Sequence, residues 1–182
     1  MKKMLVSILG VMVIFTLFGC SQVKAYMQSF EHPEYEKIED ARGILDKVLE
    51  HIADASSELS FEDGKLVDSE LGVPHFEIFP FSEIKHFDQK DVVDGYIVRP
   101  VVDVDNPKLL IVLKSVDKNA CERLKGSLGK VKSDQWAEFK DAGMLSRYLI
   151  NENEIVRQGN FLIYVTWTRP ESIVKVFERH AR

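Results

Sequence analysis

Few side chains in this 182-residue sequence stand where chemistry would need them. Cys121 is the obvious nucleophile: it follows Asp117 and Lys118 and precedes Arg123, so it falls in the first turn of an expected helix beside cations that lower a thiol pKa. It also shares an apolar face with Leu124 and Leu128, and unpaired cysteine is among the most buried residue types. The core role is the better assignment, and a thiol reagent is expected to leave Cys121 unmodified in the folded chain. The histidines are His32, His51, His75, His86 and His180, with no helical i, i+4 pair among them and no Cys-x-x-Cys beside them. His75 and His86 could converge with Glu77, Glu83 or Asp88, but solvent-facing or capping roles are expected for both, and no bound metal. No Gly-x-Ser-x-Gly elbow is present. Gly126-Ser127-Leu128-Gly129 lacks the Lys-Ser/Thr of a phosphate loop. Adjacent acids such as Glu39-Asp40 and Glu62-Asp63 lie in solvated segments, where they are weak evidence for acid–base work. No catalytic residue, metal or cofactor is therefore assigned, and the chain is expected not to be an enzyme.

The other cysteine, Cys20, ends a different pattern. Lys2 and Lys3 precede an apolar run from Met4 to Gly19, which is shorter than the roughly 20 residues that cross a bilayer as a helix. The run closes on Leu17-Phe18-Gly19-Cys20. This resembles the lipobox of bacterial lipoproteins, although Phe18 departs from the smaller residue usual there. The resemblance implies a signal peptide over 1–19 and a lipidated Cys20 as the first mature residue. It also implies anchorage in the cell membrane on its extracytoplasmic side. The mature chain would lose two of 24 cations and none of 29 anions, leaving a formal charge of −7. Cys121 would then have no intrachain partner, so stability must come from packing and not from a disulfide.

Composition agrees with one soluble domain on a tether. Hydrophobic residues are 45% and charged residues 29%, which excludes both a disordered polyelectrolyte and a polytopic membrane protein. The net charge of −5 argues against nucleic acid as a partner. The charge is uneven. Residues 31–68 hold twelve acidic and four basic side chains, and residues 114–132 hold six basic and two acidic ones. Both stretches fit solvated faces, with contact to a basic partner for the first and to anionic lipid or wall polymer for the second as the sharper alternatives.

The elements that must position these residues can be read from periodicity. Residues 20–33 form a flexible tether and 34–182 a single domain. Ile38, Ala41, Leu45, Val48, Ile52, Ala55 and Leu59 recur at steps of three and four, predicting a long amphipathic helix. It serves either a coiled-coil stem or the chain's own core, and Ala41, Gly43 and Ala55 favour the core. Leu71 to Phe87 is rich in Pro and Phe and is expected to be irregular, with a helical turn near residues 82–87. Tyr96–Val98 and Val101–Val104 are strand-like around Pro100, which predicts an edge or a bulge. Leu109–Leu113 reads as a central strand covered on both faces. Asp117 caps a helix closed by Gly129, Ser133 caps another through Trp136 and Phe139, and a break is expected near Gly143 before a helix resumes to Ile150. Gly159-Asn160 joins two strands as a hairpin. Thr168 and Glu171 have capping-box spacing ahead of a last helix that turns Ile173, Val174 and Phe177 inward, with Pro170 in its first turn.

The fold class is therefore α+β: a mostly antiparallel sheet of about four strands, helices packed on it, and a long amphipathic helix in front. From about Gly95 onward the pattern resembles an uncharacterised bacterial lipoprotein family with a C-terminal domain of unknown function. The residues that carry the resemblance are the apolar strand before a charged helix, then Tyr148 ahead of Glu154–Leu162. That family implies no activity and no site residues. The functional expectation is a non-catalytic binding domain of the cell envelope, held to the membrane through Cys20, that meets another envelope protein or polymer. The alternative is a small envelope enzyme or ligand-binding lipoprotein with a pocket near residues 74–87.

Overall fold

The computed structural model describes residues 38–101 and 105–181. The expected signal peptide over residues 1–19, the expected lipidation at Cys20 and the expected tether over 20–33 lie outside the described residues. Within them the fold is α+β, built on a five-stranded antiparallel sheet in the order β3-β4-β5-β7-β6, with a separate two-stranded hairpin β1-β2. The strands are β1 Leu59–Glu62, β2 Lys65–Asp68, β3 Phe76–Pro80, β4 Val92–Pro100, β5 Leu109–Ser115, β6 Glu154–Gln158 and β7 Phe161–Thr166. The helices are α1 Ala41–Asp54, α2 Lys118–Glu138, α3 Met144–Asn151 and α4 Pro170–His180. The sheet is thus larger than the four strands expected.

The centre of the sheet follows from burial on both sides. Side chains alternate across a strand, so Leu110 and Val112 of β5 join one apolar cluster while Ile111 and Leu113 join the other. In β7, Ile163 and Val165 face the first cluster and Leu162 and Tyr164 the second. The first cluster is completed by α1 and α4 through Ile44, Leu45, Val48, Ile173 and Phe177. The second is completed by one helix, α2, through Cys121, Leu124, Leu128 and Val131. A five-stranded sheet is about 24 Å across, enough for two helices of about 10 Å. One face has two helices and the other has one.

The shortfall is met by the strap between β3 and β4. It carries two 3₁₀ turns, Phe81–Glu83 and Gln89–Asp91, and lays Phe81, Ile84 and Phe87 on the second cluster. Asp91 fastens its end to α2 through a bidentate pair with Arg123, Nη2 to Oδ1 at 2.6 Å and Nε to Oδ2 at 2.8 Å.

Several local expectations are corrected. α1 spans 14 residues, not the full stripe. Asp40 caps its start by accepting from the Gly43 amide at 2.6 Å. It ends because Ser56 turns the chain, its Oγ accepting from the Glu58 amide. Leu59 thereby enters β1, which returns as β2 through Asp63-Gly64; both have positive φ, 48° and 75°, as a two-residue type I′ hairpin requires. Residues 76–80 are a strand and not irregular, and the 3₁₀ turn there begins at Phe81. β4 is not an edge. Its bulge lies between Val92 and Asp94, and Pro100 pairs with Phe76 beyond the last β4–β5 pair, Val98 with Leu110.

Gly129 does not close α2, nor does Ser133 cap a second helix. The helix runs on to Glu138, Ser133 Oγ donating to the Gly129 carbonyl four residues back. Packing of Leu124, Leu128 and Val131 overrides glycine's poor propensity. The capping box is absent as well: Arg169 takes the N-cap position of α4 with φ 56°, which leaves Thr168 outside the helix.

Other expectations match. β5 is the central strand, Asp117 Oδ1 accepts from the Ala120 amide at 2.7 Å, and Gly143 precedes α3. Gly159, with φ 60°, turns β6 into β7 so that Gln158 pairs with Phe161. Pro170 opens α4, and Ile173 and Phe177 are buried under it.

Candidate functional site

Where α2 and the strap diverge, the second face of the sheet is left open as a cleft of about 650 Å³, within the usual range of ligand pockets. Its floor is apolar: Ile97 from β4, Leu109 from β5, Val131 from α2 and Phe139 just past the end of α2. One wall is β3, the strap and β4, with Phe79, Ile84, Lys85 and Arg99. The other is the end of α2, with Asp134, Gln135 and Glu138.

The β3–β4 register sets the first wall. Phe79 pairs with Ile97, so Arg99 stands diagonally next to Phe79 on the same strand pair. Its guanidinium lies over the Phe79 ring, 4.2 Å from the centroid, a cation–π contact that limits where the planar fork can point. Neither Lys85 nor Arg99 forms an ion pair among the described residues.

On the α2 wall, Gln135 is 6% exposed and holds a buried polar network. Its Oε1 accepts from Tyr164 Oη at 2.7 Å and from Thr166 Oγ1 at 2.9 Å. Its Nε2 donates to the Pro107 carbonyl at 2.6 Å, tying the loop ahead of β5 to the helix. Burial pushes the Tyr164 phenol up to about 12, only partly countered by its neighbour Thr166. One residue earlier, Asp134 Oδ2 lies 2.5 Å from His86 Nε2, bridging the two walls.

The residues singled out by type are dispersed. Cys121 is fully buried beneath α2, as a core thiol. His75 is exposed ahead of β3, its ring 5.6 Å from that of Phe76, while His86 is half-buried at the cleft. No group of three His, Cys, Asp or Glu side chains is placed to hold a metal among the described residues. His51 Nε2 lies 3.2 Å from Ser172 Oγ, joining α1 to α4. The basic stretch is partly consumed by structure. Lys114 donates to the Glu39 carbonyl, Lys132 to the Asn151 carbonyl, and Arg123 to Asp91. The acids of α1 are engaged likewise, Asp46 with Arg42 and Glu50 with Lys47, and burial raises the Asp46 pKa.

Arg99, Gln135 and Glu138 carried no signal in the sequence, whereas Phe79 lies in the Phe-rich segment named there as a pocket wall. Their association depends on a strand register and on a helix running past two glycines. No helix among the described residues is long and apolar enough to cross a membrane. Compared with known proteins, the chain matches no family model, no curated protein and no solved structure.

Proposed function

We propose that this chain is an extracytoplasmic domain anchored to the membrane through lipidated Cys20, and that it works by binding a component of the cell envelope. The observation that supports binding is the cleft between the strap and α2, with its apolar floor and charged rim. Its position along residues 79–86 shifts the reading from a flat docking surface toward ligand capture in the region where a pocket was expected. The lining contains no Ser, Thr or Cys nucleophile, so binding accounts for it more simply than turnover. The anchor rests on Lys2, Lys3, the short apolar run and Leu17-Phe18-Gly19-Cys20.

A photo-cross-linking residue at Glu83, on the cleft rim, is expected to trap a discrete envelope component in intact cells. The same residue at exposed Glu178 on α4 serves as the control. Equal labelling from both positions would remove the cleft from the reading. Mass spectrometry of the mature N-terminus tests the anchor: diacylglyceryl mass on Cys20, absent after Cys20→Ala, is expected, and an unmodified N-terminus rejects it.

One observation favours a small envelope enzyme instead. The His86–Asp134 pair at the cleft has the composition of a general-base dyad. A turnover lost in both His86→Ala and Asp134→Asn would establish that reading.

A further inference from the structure

We infer that the cleft takes a short apolar peptide with a free end of each charge, its carboxylate against Arg99 and Lys85 and its ammonium against Glu138. The inference rests on the cleft being a binding site and adds the chemical class of its occupant. The floor of Ile97, Leu109, Val131 and Phe139 offers burial to apolar side chains. The two walls differ in charge balance, with Lys85 and Arg99 beside Glu83 on one and Asp134 and Glu138 on the other. Arg99 and Lys85 project from β4 and the strap, Glu138 from the end of α2. None of these three forms an ion pair among the described residues, although Arg99 and Glu138 line the same cleft. A ligand carrying both charges satisfies both walls at once.

Two groups are built in advance for such a ligand. Arg99 rests on the Phe79 ring, so less freedom is lost when its fork meets a carboxylate. Gln135 is buried at the α2 wall with both lone pairs of Oε1 engaged. Its Nε2 gives one N–H to Pro107, and a primary amide has a second, suited to a peptide carbonyl. Asp134 is already held by His86, which leaves Glu138 as the carboxylate on that wall for an ammonium group. Glu83, on the strap side of the rim, is the remaining acid of the lining.

The test is calorimetric titration of the full-length chain in phosphatidylcholine nanodiscs with trileucine, N-acetyl-trileucine and trileucine amide. One site for trileucine is expected, with each capped form weaker by about tenfold, the loss of one charge-assisted hydrogen bond. Arg99→Gln should weaken trileucine about tenfold and leave the amide unchanged. Glu138→Gln should weaken trileucine and leave the acetylated form unchanged. Equal affinity for all three peptides, or binding of none, overturns the inference. An envelope component cross-linked from Glu83 while trileucine fails to bind would overturn this assignment alone and leave binding at the cleft standing.

Discussion

The Asp91 carboxylate, at the end of the strap, receives two parallel hydrogen bonds from the Arg123 guanidinium on α2. The Asp91 side chain is 5% exposed and that of Arg123 55%. The pair therefore anchors a loop to a helix with its acid inside and its base at the surface, and fixes the far end of the strap whose near end walls the cleft.

That geometry sets an acid limb. Hydrogen bonding from Arg123 lowers the Asp91 pKa, against burial, which raises it. A depressed carboxylate pKa contributes stability above its unfolded value of about 3.9 and loses it as pH falls through the lower folded value. Asp91→Asn should lower the melting temperature by a few degrees at neutral pH and flatten its decline below about pH 4. Equal acid sensitivity in variant and parent would show that the pair does not control this limb.

At the alkaline end the controlling group is Tyr164. Its folded pKa is raised to about 12 while the unfolded chain ionises near 10. The stability it confers is complete below about pH 10 and is lost between about 10 and 12. Tyr164→Phe should remove this dependence and cost about 1 kcal/mol at neutral pH. Gln135→Ala should cost more, about 2–3 kcal/mol, since it strands Tyr164, Thr166 and the Pro107 carbonyl together. Alkaline melts of the two variants separate these effects.

Cys121 should resist an aromatic disulfide reagent in the folded protein and react fully in denaturant, because it is wholly buried. Cys121→Ala is expected to cost about 1–2 kcal/mol from the space it leaves. Rapid stoichiometric reaction under native conditions would contradict the core assignment.

Gly64 sits at φ 75°, and a Cβ there would come within 2.4 Å of Arg42 Nη2. Gly64→Ala should therefore destabilise by about 1–2 kcal/mol. The loss should be smaller in an Arg42→Ala background, where the clash is gone and only the backbone term remains. Urea melts of the four chains give the coupling directly.

Some of this architecture was legible in the residues. The apolar run 109–113 announced a strand covered on both sides, and Gly159-Asn160 between two strand-like runs announced the β6–β7 hairpin. Asp117 marked a helix start. Other parts were masked by competing patterns. Leu59 continues the α1 stripe by spacing, which hid β1, even though Asp63-Gly64 is a strong hairpin signal. Pro74 and Pro80 bracket β3 and made it look irregular. Gly126 and Gly129 suggested a helix end that packing against Leu162 and Tyr164 overrides. Of the cleft only one wall was legible, in the alternative reading of a pocket near residues 74–87; the α2 side carried no signal. The cleft is assembled from four segments spread over residues 79–139, and it exists because one face of the sheet received a helix fewer than the other.

The two-helix face has a kinetic consequence. α1 and α4 lie more than a hundred residues apart in the chain yet share one layer, joined by His51 to Ser172 and by the Ile38 amide to the His180 carbonyl. A chain emerging from its N-terminus can pair every strand of the sheet before α4 exists, leaving Val98, Leu110 and Ile163 only half covered. Closure of that layer is a long-range event that waits for the final helix. Until then the vulnerable species is a nearly complete sheet with half of one face open to aggregation or proteolysis.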